Sequence, residues 1–166
     1  MFRVDAYNLK WLDSIEDSAV DLCLHGRAVA VIGDETYEYD ATVSAAALYL
    51  LRTLKEDHYI REGSPMLPCC GSSFYANETL DTVSIVSCPN GVDWSVIHDG
   101  GQVRLVTETG KETIVPLPVY RERVHLFADK IEAFYESSSP KKVPDDKIDR
   151  EGYMAFWNEW KRLRHP

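Results

Sequence analysis

Several absences narrow the function before any motif does. No apolar run approaches the roughly 20 residues that a helix needs to cross a bilayer, so no membrane-spanning helix is expected. The start, MFRVDAYNLKWLDSIED, puts no basic segment ahead of an apolar stretch. No secretory signal is read there, and a cytoplasmic, reducing setting with free thiols is expected. No GxGxxG or Walker-type phosphate loop joins a strand to a helix, and no GxSxG elbow, DxDxDG calcium loop, CxxC or HxxxH pair occurs. Positive charge is scarce: 18 Lys+Arg face 27 Asp+Glu, a net of -9. The one basic cluster, Lys161, Arg162, Arg164 and His165, reads as a solvated last helical turn. Such a balance repels a phosphate backbone, so a nucleic-acid partner is not expected.

What is present fits one domain. The chain has 166 residues, 45% of them apolar, enough to bury a core. No repeat and no linker-like segment divides it, so residues 1–166 are read as a single domain. The acid excess is uneven: residues 1–40 carry -6, 41–118 carry -4 and 119–166 carry +1.

Hydrophobic periodicity gives the elements. Alternation predicts strands at 2–7, 20–25, 27–32 and 36–39, with a helical turn near Trp11, Leu12 and Ile15 and a tight turn at His25-Gly26. Val43, Ala46, Ala47, Leu50, Leu51 and Leu54 form one helical face, predicting a helix over 43–58 capped by Asp40 or Thr42. Residues 61–79 read as an irregular loop. Strands follow at 82–88, 92–98, 102–107 and 112–117, joined by turns at Asn90-Gly91, Asp99-Gly100-Gly101 and Thr109-Gly110. Val124, Phe127, Ile131 and Phe134 stripe a helix over 119–137. Tyr153, Phe156, Trp157, Trp160 and Leu163 stripe another over 150–164, with Asp149 as its cap. The expected class is α+β: mainly antiparallel sheet in two β-meanders, one central helix and two C-terminal helices packed on it.

Cys69 and Cys70, in Pro68-Cys69-Cys70-Gly71, stand out chemically. Adjacent thiols suit a redox pair or part of a metal site, and Cys23 and His25 share one face of a strand. A zinc set of Cys23, His25, one of Cys69/Cys70 and Cys88 is conceivable, but the spacing is not that of a structural site. Buried thiols acting as small hydrophobes are the plainer account. Cys88 and His98 do not make a nucleophile and base: an Asn90-Gly91 turn sets Cys88 against Asp93 and leaves His98 about 17 Å along the partner strand. No catalytic residue, metal or cofactor is assigned. The Tyr153–Leu163 stripe is expected to pack within the fold rather than on a partner.

Two functions are carried forward. The first is a small acidic non-catalytic protein that binds a basic protein, in the manner of an immunity or antitoxin-type regulator, as monomer or homodimer. Its face would hold Asp13, Glu16, Asp17, Asp34 and Glu35. The alternative is a thiol- or metal-dependent protein or enzyme centred on the Pro68–Gly71 loop, drawing on Cys69, Cys70, Cys88, Cys23 and His25.

Overall fold

A computed structural model describes residues 1–12 and 17–165. The alternation of Phe2, Val4 and Ala6 builds β1, which extends further than expected, over Phe2–Trp11. It pairs antiparallel with β2 (Leu24–Ile32), and β2 with β3 (Glu35–Thr42). His25-Gly26 is not a turn. Tyr7 pairs with Arg27 and Lys10 with His25, so Asn8 and Leu9 together oppose Gly26. This two-against-one bulge has Asn8 at φ 51°. It shifts the alternation by one: Phe2, Val4 and Ala6 face inward before it and Trp11 after it. Gly26 is required for close approach, because a Cβ there would lie 2.9 Å from Leu9 Cδ2 and 3.1 Å from the Tyr7 carbonyl. Of the helical turn expected nearby, Trp11 is strand and Ile15 lies outside the described residues.

Helix α1 (Val43–Arg52) is buried along nearly its whole length, with Thr42 at its N-cap. It stops six residues before the expected end. The Thr53 hydroxyl donates to the Leu50 carbonyl at 2.7 Å and meets Tyr120 Oη at 2.7 Å. Beyond it, His58 exchanges backbone hydrogen bonds of 2.9 and 2.8 Å with Val96. That bridge satisfies the backbone as a further helical turn would, while tying the chain to the second half of the fold.

The segment read as a loop contains β4 (Leu67–Pro68) and β5 (Ser73–Ala76). β5 pairs with β6 (Val83–Val86), and β4 with β7 (Gly91–Val92). The expected Asn90-Gly91 hairpin is therefore absent. A type I′ turn needs positive φ at Gly91, and Gly91 is not among the positive-φ glycines. Gly91 instead lets β4 come close, where a Cβ would run into Pro65 and the Leu67 carbonyl. The four-strand meander reduces to three strands, β8 (Trp94–Asp99), β9 (Gln102–Thr107) and β10 (Glu112–Pro116), in order β10-β9-β8. The fold is α+β with antiparallel pairing throughout the described sheets.

Two helices close the core. α2 (Leu117–Ser137) buries Tyr120, Val124, Phe127, Ala128 and Ile131, with the Tyr120 ring 4.8 Å from Phe2. α3 (Lys147–Arg164) is capped by Asp146, not Asp149: its side chain accepts from the Ile148 and Asp149 amides. The aromatic stripe of α3 packs inward, with Phe156 stacked 5.2 Å from Phe74 of β5. The basic last turn is divided: Arg164 pairs with Asp129 at 2.8 Å and His165 with Glu132 at 3.3 Å, while Lys161 and Arg162 are exposed as expected. No helix among the described residues is long and apolar enough to cross a membrane.

A carboxylate holds α3 in place. Glu159 is 2% exposed, takes Arg52 Nε and Nη2 at 2.8 Å each, and accepts the Val83 amide at 2.8 Å. Removing one partner of a buried pair leaves the other charge unsatisfied and costs about 3–5 kcal/mol. Glu159→Ala should lower stability by that amount in urea unfolding. The double change Arg52→Met with Glu159→Leu, which removes both charges, should recover most of it.

Candidate functional site

Two surface regions concentrate chemistry. The first is made by the small β4–β7 ladder. Leu67 pairs with Val92 and Pro68 with Gly91, and the Cys69 amide donates to the Asn90 carbonyl at 3.1 Å. The residues just beyond the ladder, Cys69 and Cys70 after β4 and Cys88 before β7, are thereby drawn together. Their three sulfurs lie within 4.8 Å of one another. Cys69 and Cys88 form a disulfide, and Cys70 remains a free, half-buried thiol. Cys70 Sγ is 3.1 Å from Cys88 Sγ and accepts a hydrogen bond from the Cys88 amide at 3.1 Å. Cys69 lines a groove of about 650 Å³ that opens at the bulge of β1, beside Asn8, Lys10, His25, Arg27 and Asp40. Free thiols throughout were expected; a disulfide between two of the four cysteines corrects that.

Cys23 does not join the cluster. Its thiol is buried against the Gly71 carbonyl at 3.9 Å, and burial, with Asp21 nearby, pushes it up to about 12. It behaves as a small apolar side chain. His25 borders the groove, its basicity lowered by burial. The expected set is thus divided: Cys69, Cys70 and Cys88 converge, His25 lines the same groove as Cys69, and Cys23 is packed away.

The second region is a groove of about 740 Å³ where the end of β1, β5 and the α2–α3 connector meet. Its walls include Leu12, Val20, Leu22, Phe74 and Pro144. Leu12 and Val20 are 71% and 70% exposed, so the lining of this groove presents apolar surface to water. Asp21, Asp145 and Asp149 line it too, with Lys142 as a cation. The segment 17–20 beside it is anchored from below. Lys141 Nζ lies 3.4 Å above the Trp11 ring, bonds Asp17 Oδ1 at 2.7 Å and the Ser18 carbonyl at 2.9 Å, and its side chain is only 5% exposed. Asp17 also takes the Ser139 amide.

The five acidic residues expected to share a face do not form one cluster. Asp17 lies beyond the Trp11 end of β1. Asp34 and Glu35 follow Ile32, the partner of Phe2, at the other end, about 30 Å away along the strand. Asp34 pairs with Lys111 at 3.0 Å. Asp13 and Glu16 fall outside the described residues. Histidine pairing also differs from sequence adjacency. His98 Nδ1 meets Asp57 at 2.8 Å, while His58 Nε2 meets the buried Asp93 at 2.8 Å. Asp93 further takes the amides of Arg61, Met66 and Trp94, so it is a staple for the 58–66 segment rather than a catalytic acid. Cys88 sits with thiols and His98 with a carboxylate, so the two do not form a nucleophile–base pair, although the register first used to separate them is not the one found.

Sequence reasoning missed the apolar wall at Leu12 and Val20, the Lys141 anchor and the Asp93 staple. Each depends on a contact between segments far apart in the chain, and none leaves a local pattern. The chain matches no known family model, no curated protein and no solved structure.

Glu35 supplies a pH test of the fold around the β2–β3 turn. Hydroxyls of Thr107, Thr109 and Tyr37 hold its carboxyl down to about 2, against an ordinary 4.5. A depressed carboxyl contributes stability that is present above its unfolded value and lost as pH falls through the folded one. Melting temperature should therefore drop between pH 4.5 and 2. Glu35→Gln should flatten part of that drop, while other lowered carboxyls, among them Asp5, Asp17, Asp34, Asp57 and Asp81, retain the rest.

Proposed function

We propose that this protein is a non-catalytic binding protein that takes a basic protein partner, in the manner of an immunity or antitoxin-type regulator, through the groove bounded by Leu12, Val20, Phe74 and Pro144. The observation that carries this reading is a groove whose lining combines the exposed Leu12 and Val20 with Asp21, Asp145 and Asp149, Asp145 being paired with Lys142 at 2.7 Å. An aliphatic or aromatic anchor flanked by Lys or Arg is the complement of such a surface. The net charge of -9 supports fast, salt-sensitive capture of a cationic partner. Asp17 stays within the proposed face, Asp34 and Glu35 leave it, and Asp13 and Glu16 lie outside the described residues. A cytoplasmic monomer or homodimer without a nucleic-acid ligand belongs to the same reading.

Peptides displayed on phage and selected on the intact protein test it. Enriched sequences should carry Lys or Arg around one apolar anchor. Affinity should fall about tenfold, equivalent to about 1.4 kcal/mol, in Leu12→Ser/Val20→Ser and in Asp145→Asn/Asp149→Asn. Val86→Ser and Ile114→Ser, at side chains both 59% exposed elsewhere, should change nothing. Selection of acidic peptides, or affinity indifferent to the groove changes, refutes the proposal.

A second reading, a thiol- or metal-dependent protein centred on the Pro68–Gly71 loop, is favoured by the convergence of Cys69, Cys70 and Cys88 beside a groove. Once reduced, they offer three sulfur ligands, one fewer than a closed zinc site uses. Stoichiometric zinc in the reduced, purified protein would select the metal branch, and a metal-free protein with a reactive thiol the redox branch.

A further inference from the structure

The three sulfurs are arranged unequally. One is free, two are bonded, and the free one lies over the shared member of the pair. Cys70 Sγ is 3.1 Å from Cys88 Sγ, and the Cys88 amide holds it there. Of the two sulfurs that can be bonded to Cys88, Cys69 is the one that lines the groove at the β1 bulge. The position of the disulfide thus decides whether the groove contains a thiol.

We propose that Cys69, Cys70 and Cys88 form an intramolecular disulfide relay whose product is a Cys69 thiol in the groove, open to a low-molecular-weight disulfide. The inference rests on the redox branch of the second reading above. Cys70 first loses its proton to water. Its thiolate then donates an electron pair to Cys88 Sγ. The Cys70–Cys88 bond forms, the Cys69–Cys88 bond breaks, and Cys69 departs with the bonding pair as a thiolate. One disulfide and one thiol exist before and after, so the step consumes no outside oxidant or reductant. When the Cys69 thiolate attacks a small external disulfide, a mixed disulfide forms and one external thiolate leaves. A groove of about 650 Å³ accommodates a molecule of that size. Cys23 stays outside the relay because its thiol is buried and hard to ionise.

Alkylation of the oxidised protein tests the relay. Iodoacetamide is applied at pH 8, the protein is digested without reduction, and the label is located by fragmentation between residues 69 and 70. Wild type should carry label on both Cys69 and Cys70. In Cys70→Ser, which has no internal attacker, label at Cys69 should fall about tenfold or more, because exchange needs a nearby thiolate. Cys69→Ser should form a Cys70–Cys88 disulfide, and wild type incubated with oxidised glutathione should gain the adduct on Cys69. Label confined to Cys70 in wild type overturns the relay while leaving a reactive-thiol protein. A stoichiometric metal that blocks alkylation of the reduced protein overturns it in favour of the metal branch. No label on either cysteine overturns both the relay and the thiol reading.

Discussion

A charge that cannot reach water constrains this fold more than any apolar contact does. Glu159, in the middle of α3, is buried, and an isolated carboxylate there would be strongly disfavoured. Its oxygens are satisfied by Arg52 at the end of α1 and by the Val83 amide at the start of β6. Arg52 also donates to the Val83 carbonyl, closing a small ring of polar contacts. Apolar packing tolerates small slides, but this geometry does not. With α3 fixed on β6, Phe156 meets Phe74, and the β5–β6 hairpin takes its place beside the core. The chain between β4 and β5 must then pass along the edge where Cys69 and Cys70 meet Cys88.

The charge arithmetic gains a spatial meaning. Half of the acid excess in residues 1–40 is met by cations from later in the chain: Asp5 by Lys130, Asp17 by Lys141 and Asp34 by Lys111. Exposed pairs of this kind contribute little stability each, about 0–1 kcal/mol. The Lys141 contact differs, because its ammonium is covered and rests on the Trp11 face. It anchors the segment that presents Val20, and so connects a buried cation to an exposed apolar wall.

The parts of the fold legible in sequence are those governed by periodicity. The α2 and α3 stripes and the β8–β9–β10 meander follow from spacing that repeats within a few residues. Three particulars were not legible, each for a physical reason. Alternation in β1 breaks at Asn8 because the bulge inserts a residue, and a reader of period two ends the strand there although Trp11 continues it. Asn90-Gly91 has the composition of a hairpin, but the same glycine serves close approach equally well, and only the presence of β4 decides between them. The stripe of α1 runs on to Leu54, which is buried, yet the helix has already ended, because His58 finds a backbone partner in Val96. The candidate site divides in the same way. The oddity of Cys69-Cys70 was visible, whereas its union with Cys88 depends on a two-residue ladder with no local signature.

The two functional readings share structural elements. Leu12 lines both grooves, and the segment that carries Cys69 into one carries Ser72 and Phe74 into the other. Gly71, between them, is packed against Ala45 and Ile85 and accepts the Cys23 thiol, so displacement on one side is passed across a tight pivot. A partner seated in the groove beside Ser72 that fits one position of the disulfide better than the other must bias the disulfide toward that position. By the same linkage, the disulfide must bias the partner's affinity by the same factor. With a coupling of about 1–3 kcal/mol, the usual range for linked sites, the position of the disulfide among three cysteines would set the strength of binding about one groove away. Protein capture and thiol chemistry would then be two measurements of one equilibrium in the loop between β4 and β5.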